Sequence, residues 1–121
     1  MPNFKTMLVG TVVTTLVQTV LSVLISVAII GFSWQMIPNG LIVFGVITAV
    51  SVGVLCLIGK SVLDTQALGL ASACTLVLVY GAMHWLGFND GALWGAVVVA
   101  AFGYAGGALG SVATKLVLKT A

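Results

Sequence analysis

Four long apolar runs constrain this chain more than any other feature of its sequence. They cover residues 6–32, 41–59, 66–87 and 91–117, with only short polar stretches between them. A transmembrane helix needs about 20 predominantly apolar residues, a length that each run reaches or nearly reaches. Charged residues make up only 5% of the 121 residues, far fewer than a water-exposed surface requires. The sequence therefore predicts a single all-α transmembrane domain with four spans.

The three connections between the runs are short and rich in turn-forming residues. Pro-Asn-Gly at residues 38–40 is a strong turn signal, and we expect it to separate the first two helices. Asp64 is placed to cap the third helix, and Asn89 and Asp90 precede the fourth. Connections this short favour neighbouring helices of opposite direction. We therefore expect a polytopic membrane protein built as an antiparallel four-helix bundle, with no soluble domain.

The positions of the lysines predict how the bundle is oriented. In a four-span bundle they all fall on one side of the membrane: Lys5, Lys60, Lys115 and Lys119. The connections 33–40 and 88–90 contain no Lys or Arg. The positive-inside rule then places both termini in the cytoplasm of a cell with this protein in its inner membrane. Aromatic residues mark the opposite interface: Phe32, Trp34, Trp85, Phe88 and Trp94.

One face of the first helix carries polar residues along most of its length. This polar stripe consists of Thr11, Thr15, Gln18, Ser22 and Ser26, which fall within an arc of roughly 80° on a helix. Two interpretations remain open at this point. The hydroxyls bond back to their own helix or to a neighbouring one. Alternatively the stripe lines a pore or path, which Gln18 favours because an unpaired amide in lipid is costly.

The fourth helix is rich in glycine at spacings that suit close helix packing. Its predicted packing seam consists of Gly91, Gly95, Gly103, Gly106, Gly107 and Gly110. Small residues four apart let helix backbones approach closely in lipid. The seam predicts packing within the chain, with part of it left for a second copy.

Residues for catalysis or for metal binding are scarce. His84 and Asp90 form a predicted polar pair at the outer mouth of the bundle, but two such groups make no reaction by themselves. Cys56 and Cys74 lie in separate apolar runs, and His84 cannot join them as ligands. Four dispersed lysines make no nucleic-acid surface. We therefore expect no enzyme, no metal, no other cofactor and no nucleic-acid partner.

Two families of small four-span proteins bear on the function. The small multidrug-resistance exporters depend on a glutamate in their first helix, and this chain has no Glu. In size and in the predicted position of its termini the chain resembles the GtrA-like flippases of lipid-linked sugars. Residues 4–17, FKTMLVGTVVTTLV, are similar to the first helix of that family. The Asn and Arg residues that the family carries near its helix ends are not evident here.

Three functions fit these patterns. The sequence favours a small oligomerising protein that forms pores in the manner of a holin, because it combines a polar stripe with packing seams. A small transporter or flippase of a lipid-linked or other polar substrate is the first alternative, and an accessory subunit of a larger membrane complex is the second. The expected partners are the lipid bilayer and either further copies of the chain or other membrane-protein subunits.

Overall fold

Four α-helices account for most of the chain in the computed structural model, which describes residues 4–120 and the side chains of residues 4–119. They are α1 (Phe4–Ile30), α2 (Met36–Leu57), α3 (Thr65–Trp85) and α4 (Leu93–Thr120). Each helix is long and apolar enough to cross a membrane. The fold is therefore all-helical with four candidate membrane spans, as the sequence predicts.

The start of α2 differs from the sequence prediction. The helix begins at Met36 instead of residue 41, so Pro38 lies inside its first turn and not in the connection. Proline is tolerated there because the first N–H groups of a helix have no intrahelical acceptor to lose. The Gln35 Nε2 atom also donates to Asn39 Oδ1 at 3.3 Å across this turn.

The connection between α2 and α3 ends one helix and caps the next. Gly59 has a φ of 77°, and its N–H donates to Cys56 O at 3.2 Å. The following N–H, that of Lys60, donates to Leu55 O at 2.8 Å. This pair of bonds is a Schellman motif, in which a left-handed glycine stops a helix. At the start of α3, Asp64 accepts a bond from Ala67 N at 3.1 Å, which confirms the predicted cap.

The helices form a closed ring in which α1 contacts α2 and α4, and α3 contacts the same two helices. Helices that follow one another in sequence are therefore neighbours in space, and α4 closes the ring against α1. One end of the ring is plugged by Val62 from the α2–α3 connection, which is 1% exposed. Val62 packs so closely on α1 that a Cβ at Gly10 would lie 2.6 Å from its Cγ2 atom.

The interior of the ring is unusual because it is polar as well as apolar. Most large apolar side chains point outward, as expected for helices surrounded by lipid. The buried apolar residues are Ile47, Val52, Leu55, Val62, Leu68 and Leu76. A comparable set of polar side chains is completely buried among them: Thr14, Gln18, Thr48, Ser51, Ser72, Ser111 and Thr114. We call this second set the buried polar cluster.

Candidate functional site

The buried polar cluster draws on all four helices and contains hydroxyls and one amide. None of its seven side chains is ionisable. Such groups can bind or hydrate a polar solute, but they supply no acid, base or metal ligand set. The cluster is therefore a candidate for binding or conducting a polar solute.

Gln18 is the one amide of the cluster, and it contacts both α2 and α4. Its Oε1 atom accepts a bond from Thr48 Oγ1 at 3.2 Å, which joins α1 to α2. Its Nε2 atom is buried and has no hydrogen-bond partner. The side chain lies against Gly106 of α4, where a Cβ would come within 2.7 Å of the Gln18 Cγ atom. The amide fits only because position 106 has no side chain.

Two further buried hydroxyls lack a partner, and both lie against glycines of the same helix. They are the Oγ1 atom of Thr14 and the Oγ atom of Ser72. A Cβ at Gly107 would lie 2.9 Å from Ser72 Oγ, and one at Gly110 would collide with Thr14 Oγ1. A buried polar group without a partner costs about 1–3 kcal/mol. Such groups in one place call for a reason beyond stability.

Other members of the cluster are hydrogen-bonded. Ser51 Oγ lies 2.8 Å from Ile47 O and 3.1 Å from Thr75 Oγ1, and its single hydrogen can serve only one of them at a time. Thr75 donates to Ala71 O at 2.8 Å. These contacts link α2 to α3, whereas Gln18 and Thr48 link α1 to α2. The cluster thus joins neighbouring helices through hydroxyls.

Polar contacts also lead from the cluster to one end of the bundle. The exposed Lys115 donates from Nζ to Thr65 Oγ1 at 3.1 Å. That oxygen lies 3.2 Å from the Oγ atom of the buried Ser111. Thr114 is also buried on α4 and donates to its own helix, at Gly110 O, 2.7 Å away.

A cavity of about 310 Å³, open to the surroundings of the bundle, lies one helical turn beyond Gln18 and is lined by all four helices. Its lining includes the hydroxyl-bearing Ser22 and Ser26 of α1 together with Phe44 and Phe102. The centroids of the two phenyl rings are 5.5 Å apart. Four lining residues are each one turn from a contact of the polar cluster: Ser22 from Gln18, Phe44 from Thr48, Leu76 from Ser72, and Phe102 from Gly106. The cavity therefore adjoins the cluster.

The structure divides the predicted polar stripe into three parts. Thr11 and Thr15 donate to the carbonyl oxygens of Met7 and Thr11, at 2.8 and 2.7 Å. Gln18 is buried, and the remaining two members, Ser22 and Ser26, line the cavity. The face of α1 that enters the bundle runs through residues 10, 14, 18, 22 and 26.

Several functional candidates were not predicted from the sequence. Thr14 is not part of the predicted stripe, although it lies four residues before Gln18 and so shares that face of α1. Thr48 and Ser72 also went unassigned. The available signal was their type, since each is a small polar residue in a span that is otherwise almost wholly apolar.

Each glycine of the predicted seam lies against another residue of the same chain. Gly91 precedes α4, which begins at Leu93, and the other five lie on that helix. The contacts are Gly91 with His84, Gly95 with Tyr80, Gly103 with Ala73, Gly106 with Gln18, Gly107 with Leu68, and Gly110 with Thr14. The seam thus packs α4 against α3 and α1. Its use by a second copy stays a prediction.

The predicted pair at the outer mouth is separated into two sets of partners. His84 Nδ1 lies 3.0 Å from Asn89 O, while Asp90 accepts a bond from Ala92 N at 3.1 Å. The hydroxyl of Tyr80 donates to Ala92 O at 3.0 Å, and Asn89 Nδ2 donates to Tyr80 O at 3.3 Å. These residues hold the α3–α4 connection in place.

Comparison with protein-family models, with curated proteins and with solved structures found no match to this chain in any of the three.

Proposed function

We propose that the chain is a small membrane transporter, in which an uncharged polar solute or the polar head of a lipid-linked substrate enters the interior of the bundle. The observation that carries this proposal is the cavity beside the buried polar cluster. Its lining is mostly apolar and includes Phe44 and Phe102, with Ser22 and Ser26 of α1 as its hydroxyl-bearing residues. Its volume of about 310 Å³ is at the lower end of the range for ligand pockets.

The opposite half of the bundle supports a transporter more than an open channel. Beyond Gln18 the interior is packed, because Leu55, Val62 and Leu68 are each at most 2% exposed. A binding cavity on one side of a packed barrier is the arrangement expected of a transporter at rest. The unpartnered Gln18 Nε2 atom lies at the boundary, where it would be available to a solute that crosses.

The test is permeation through vesicles that contain the purified protein. Glycerol and urea serve as uncharged probes, and stopped-flow light scattering measures the rate at which the vesicles change volume. Wild type is expected to speed the change above that of protein-free lipid. Ser26→Phe fills the cavity and is expected to abolish the gain, while Ser22→Ala removes one hydroxyl and reduces it.

Leu24→Phe is the matched control, because this residue is 61% exposed on the same helix and does not line the cavity. It is expected to keep the wild-type rate. Equal rates for Ser26→Phe and Leu24→Phe would show that solutes do not cross through this cavity. Vesicles no more permeable than protein-free lipid to both probes would contradict transport of small neutral solutes.

A holin-like pore built from several copies is the second candidate. Ala101 and Ala105 are exposed and lie one turn apart on α4, which favours close approach of a second copy. Release of trapped calcein distinguishes this candidate, since that dye is far larger than the cavity. Expression in a bacterium would then depolarise its membrane abruptly, and Gln18→Leu with Ser22→Ala would delay this effect. A chain that neither releases calcein nor depolarises the membrane would favour the third candidate, an accessory subunit.

We also propose that the helices are antiparallel, with both termini in the cytoplasm and the protein in the inner membrane. The contacts between α3 and α4 support opposite directions, because Gly107 lies against Leu68 whereas Gly95 lies against Tyr80. The contacts of α4 with α1 follow the same order, since Gly110 meets Thr14 and Gly106 meets Gln18. The lysine positions support the orientation of the termini.

A further inference from the structure

A long apolar groove runs between α2 and α3 on the outside of the bundle. Its volume is about 680 Å³, more than twice that of the cavity beside the buried polar cluster. Its wall on α3 runs from Ala67 to Ala82, a distance of about 22 Å at the rise of an α-helix. One leaflet contributes roughly 15 Å to the hydrocarbon core of a bilayer. The groove is therefore long enough for one lipid acyl chain.

A single charged residue, Lys60, lies among the residues that line this groove. It belongs to the α2–α3 connection, and its side chain is exposed. Within the described part of the chain its ammonium group has no hydrogen bond or ion pair, and the nearby Asp64 caps α3 instead. The groove thus combines an apolar wall with an available positive charge at its end.

The apolar wall and the positive charge together favour one of two possible occupants of the groove, a lipid over a helix of a second copy. A helix of a second copy could pair with Lys60 only through Asp64 or Asp90, the two acidic residues of the chain. Both of these accept bonds from backbone N–H groups at helix starts. A phospholipid with an anionic headgroup supplies both parts, because its phosphate complements the ammonium and its acyl chain covers the apolar wall.

We propose that the groove between α2 and α3 binds an anionic phospholipid, with one acyl chain along the groove and the headgroup phosphate on Lys60. The remaining polar groups of the groove are few, with the Thr75 hydroxyl already donating to Ala71 O. The lipid would cover the side of the ring where α2 meets α3. This binding is independent of transport, since none of the groove residues lines the cavity beside the buried polar cluster.

The test measures lipid binding to the purified full-length chain by native mass spectrometry. The probes are phosphatidylglycerol, which is anionic, and phosphatidylcholine, which is not. Wild type is expected to bind phosphatidylglycerol about five-fold more tightly, the effect of one lysine near a lipid headgroup. Lys60→Gln is expected to remove that preference, and Lys119→Gln, which changes the net charge equally but lies outside the groove, is expected to keep it.

Two phenylalanine variants test the acyl-chain part of the proposal. Cys74 lines the groove and Cys56 does not, although both are exposed free thiols. Cys74→Phe is expected to lower the occupancy of both lipids, and Cys56→Phe to leave it unchanged. Circular dichroism confirms that each variant is folded.

Three results would overturn the proposal. Equal binding of the two lipids to wild type would show that the groove does not select charge. Equal loss in Lys60→Gln and Lys119→Gln would assign the effect to diffuse surface charge. A wild-type dimer that Cys74→Phe converts to a monomer would show that a second copy fills the groove. None of these readings depends on solute flux, so the transport proposal is tested separately.

Discussion

At positions 106, 107 and 110, α4 presents bare backbone to the polar side chains of its neighbours. Gln18, Ser72 and Thr14 occupy the space that a side chain on α4 would otherwise fill. The glycines were predictable as a packing seam from their spacing alone. Their partners were not, because a single sequence does not show which polar residue of another helix meets which glycine. Packing in this bundle is therefore decided by pairs of residues far apart in the chain.

Two glycine substitutions should separate packing from helix propensity. A Cβ at Gly107 would lie 2.6 Å from Leu68 O and 2.8 Å from Gly69 Cα, both backbone atoms that cannot rotate away. Gly107→Ala is expected to lower the free energy of unfolding by about 1–3 kcal/mol. Gly53 has nothing within 4 Å of its Cβ position. Gly53→Ala is expected to raise the same quantity by up to about 1 kcal/mol, because alanine favours helix.

Unfolding in micelles with increasing dodecyl sulfate measures both variants. Equal losses at the two positions would show that the close contact of Gly107 with α3 is absent in the folded protein.

The helices themselves were predicted well, and their faces and ends less well. Hydropathy located all four elements because lipid admits only long apolar segments whose backbone groups are satisfied internally. The polar stripe of α1 was predicted from residue type and spacing, and it included Thr15 but not the buried Thr14. Threonine is tolerated on either face of the helix, since a hydroxyl such as that of Thr15 can bond to a carbonyl oxygen of its own helix. Pro38 was predicted to lie in the connection before α2, but it lies in the first turn of that helix. Proline is compatible with the start of a helix and not with its middle.

The start of α3 depends on one side chain. Asp64→Ala removes the bond to Ala67 N and is expected to lower the free energy of unfolding by about 1 kcal/mol. Asp64→Asn keeps an oxygen in place and is expected to cost a few tenths at most. The same titration measures both, and amide exchange at residues 66–68 should accelerate only in the alanine variant. An asparagine variant as unstable as the alanine one would show that charge, not the bond, matters.

For the whole molecule, membrane class followed from composition, whereas the interior did not. The apolar exterior and the four spans are consequences of 61% hydrophobic residues arranged in long runs. The cavity and the buried polar cluster arise only when four helices are assembled, so no single span contains their signal. Ser22 and Ser26 were singled out because they share a helix with Gln18. Phe44 and Phe102, which complete the cavity, look like ordinary apolar residues in their own spans.

Orientation of the whole molecule can be measured with single cysteines. In a background of Cys56→Ala and Cys74→Ala, Ser33→Cys labels the α1–α2 connection and Ser61→Cys the α2–α3 connection. A membrane-impermeant maleimide added to spheroplasts is expected to react with the first variant. The second should react only after the membrane is opened, because the positive-inside rule predicts a cytoplasmic location for the connection that carries Lys60. The reverse pattern would place both termini outside.

The Schellman motif at Gly59 has a counterpart at the end of α3. There Gly87 donates from its N–H to His84 O at 2.9 Å, and Phe88 donates to Met83 O at 2.9 Å. Each of these helix-terminating motifs involves residues within five positions of one another. It can therefore form while the rest of the chain is still on the ribosome. We expect span lengths to be set during synthesis, as each segment leaves the translocation machinery. The helices would then pack against one another in a later step, after their ends are fixed.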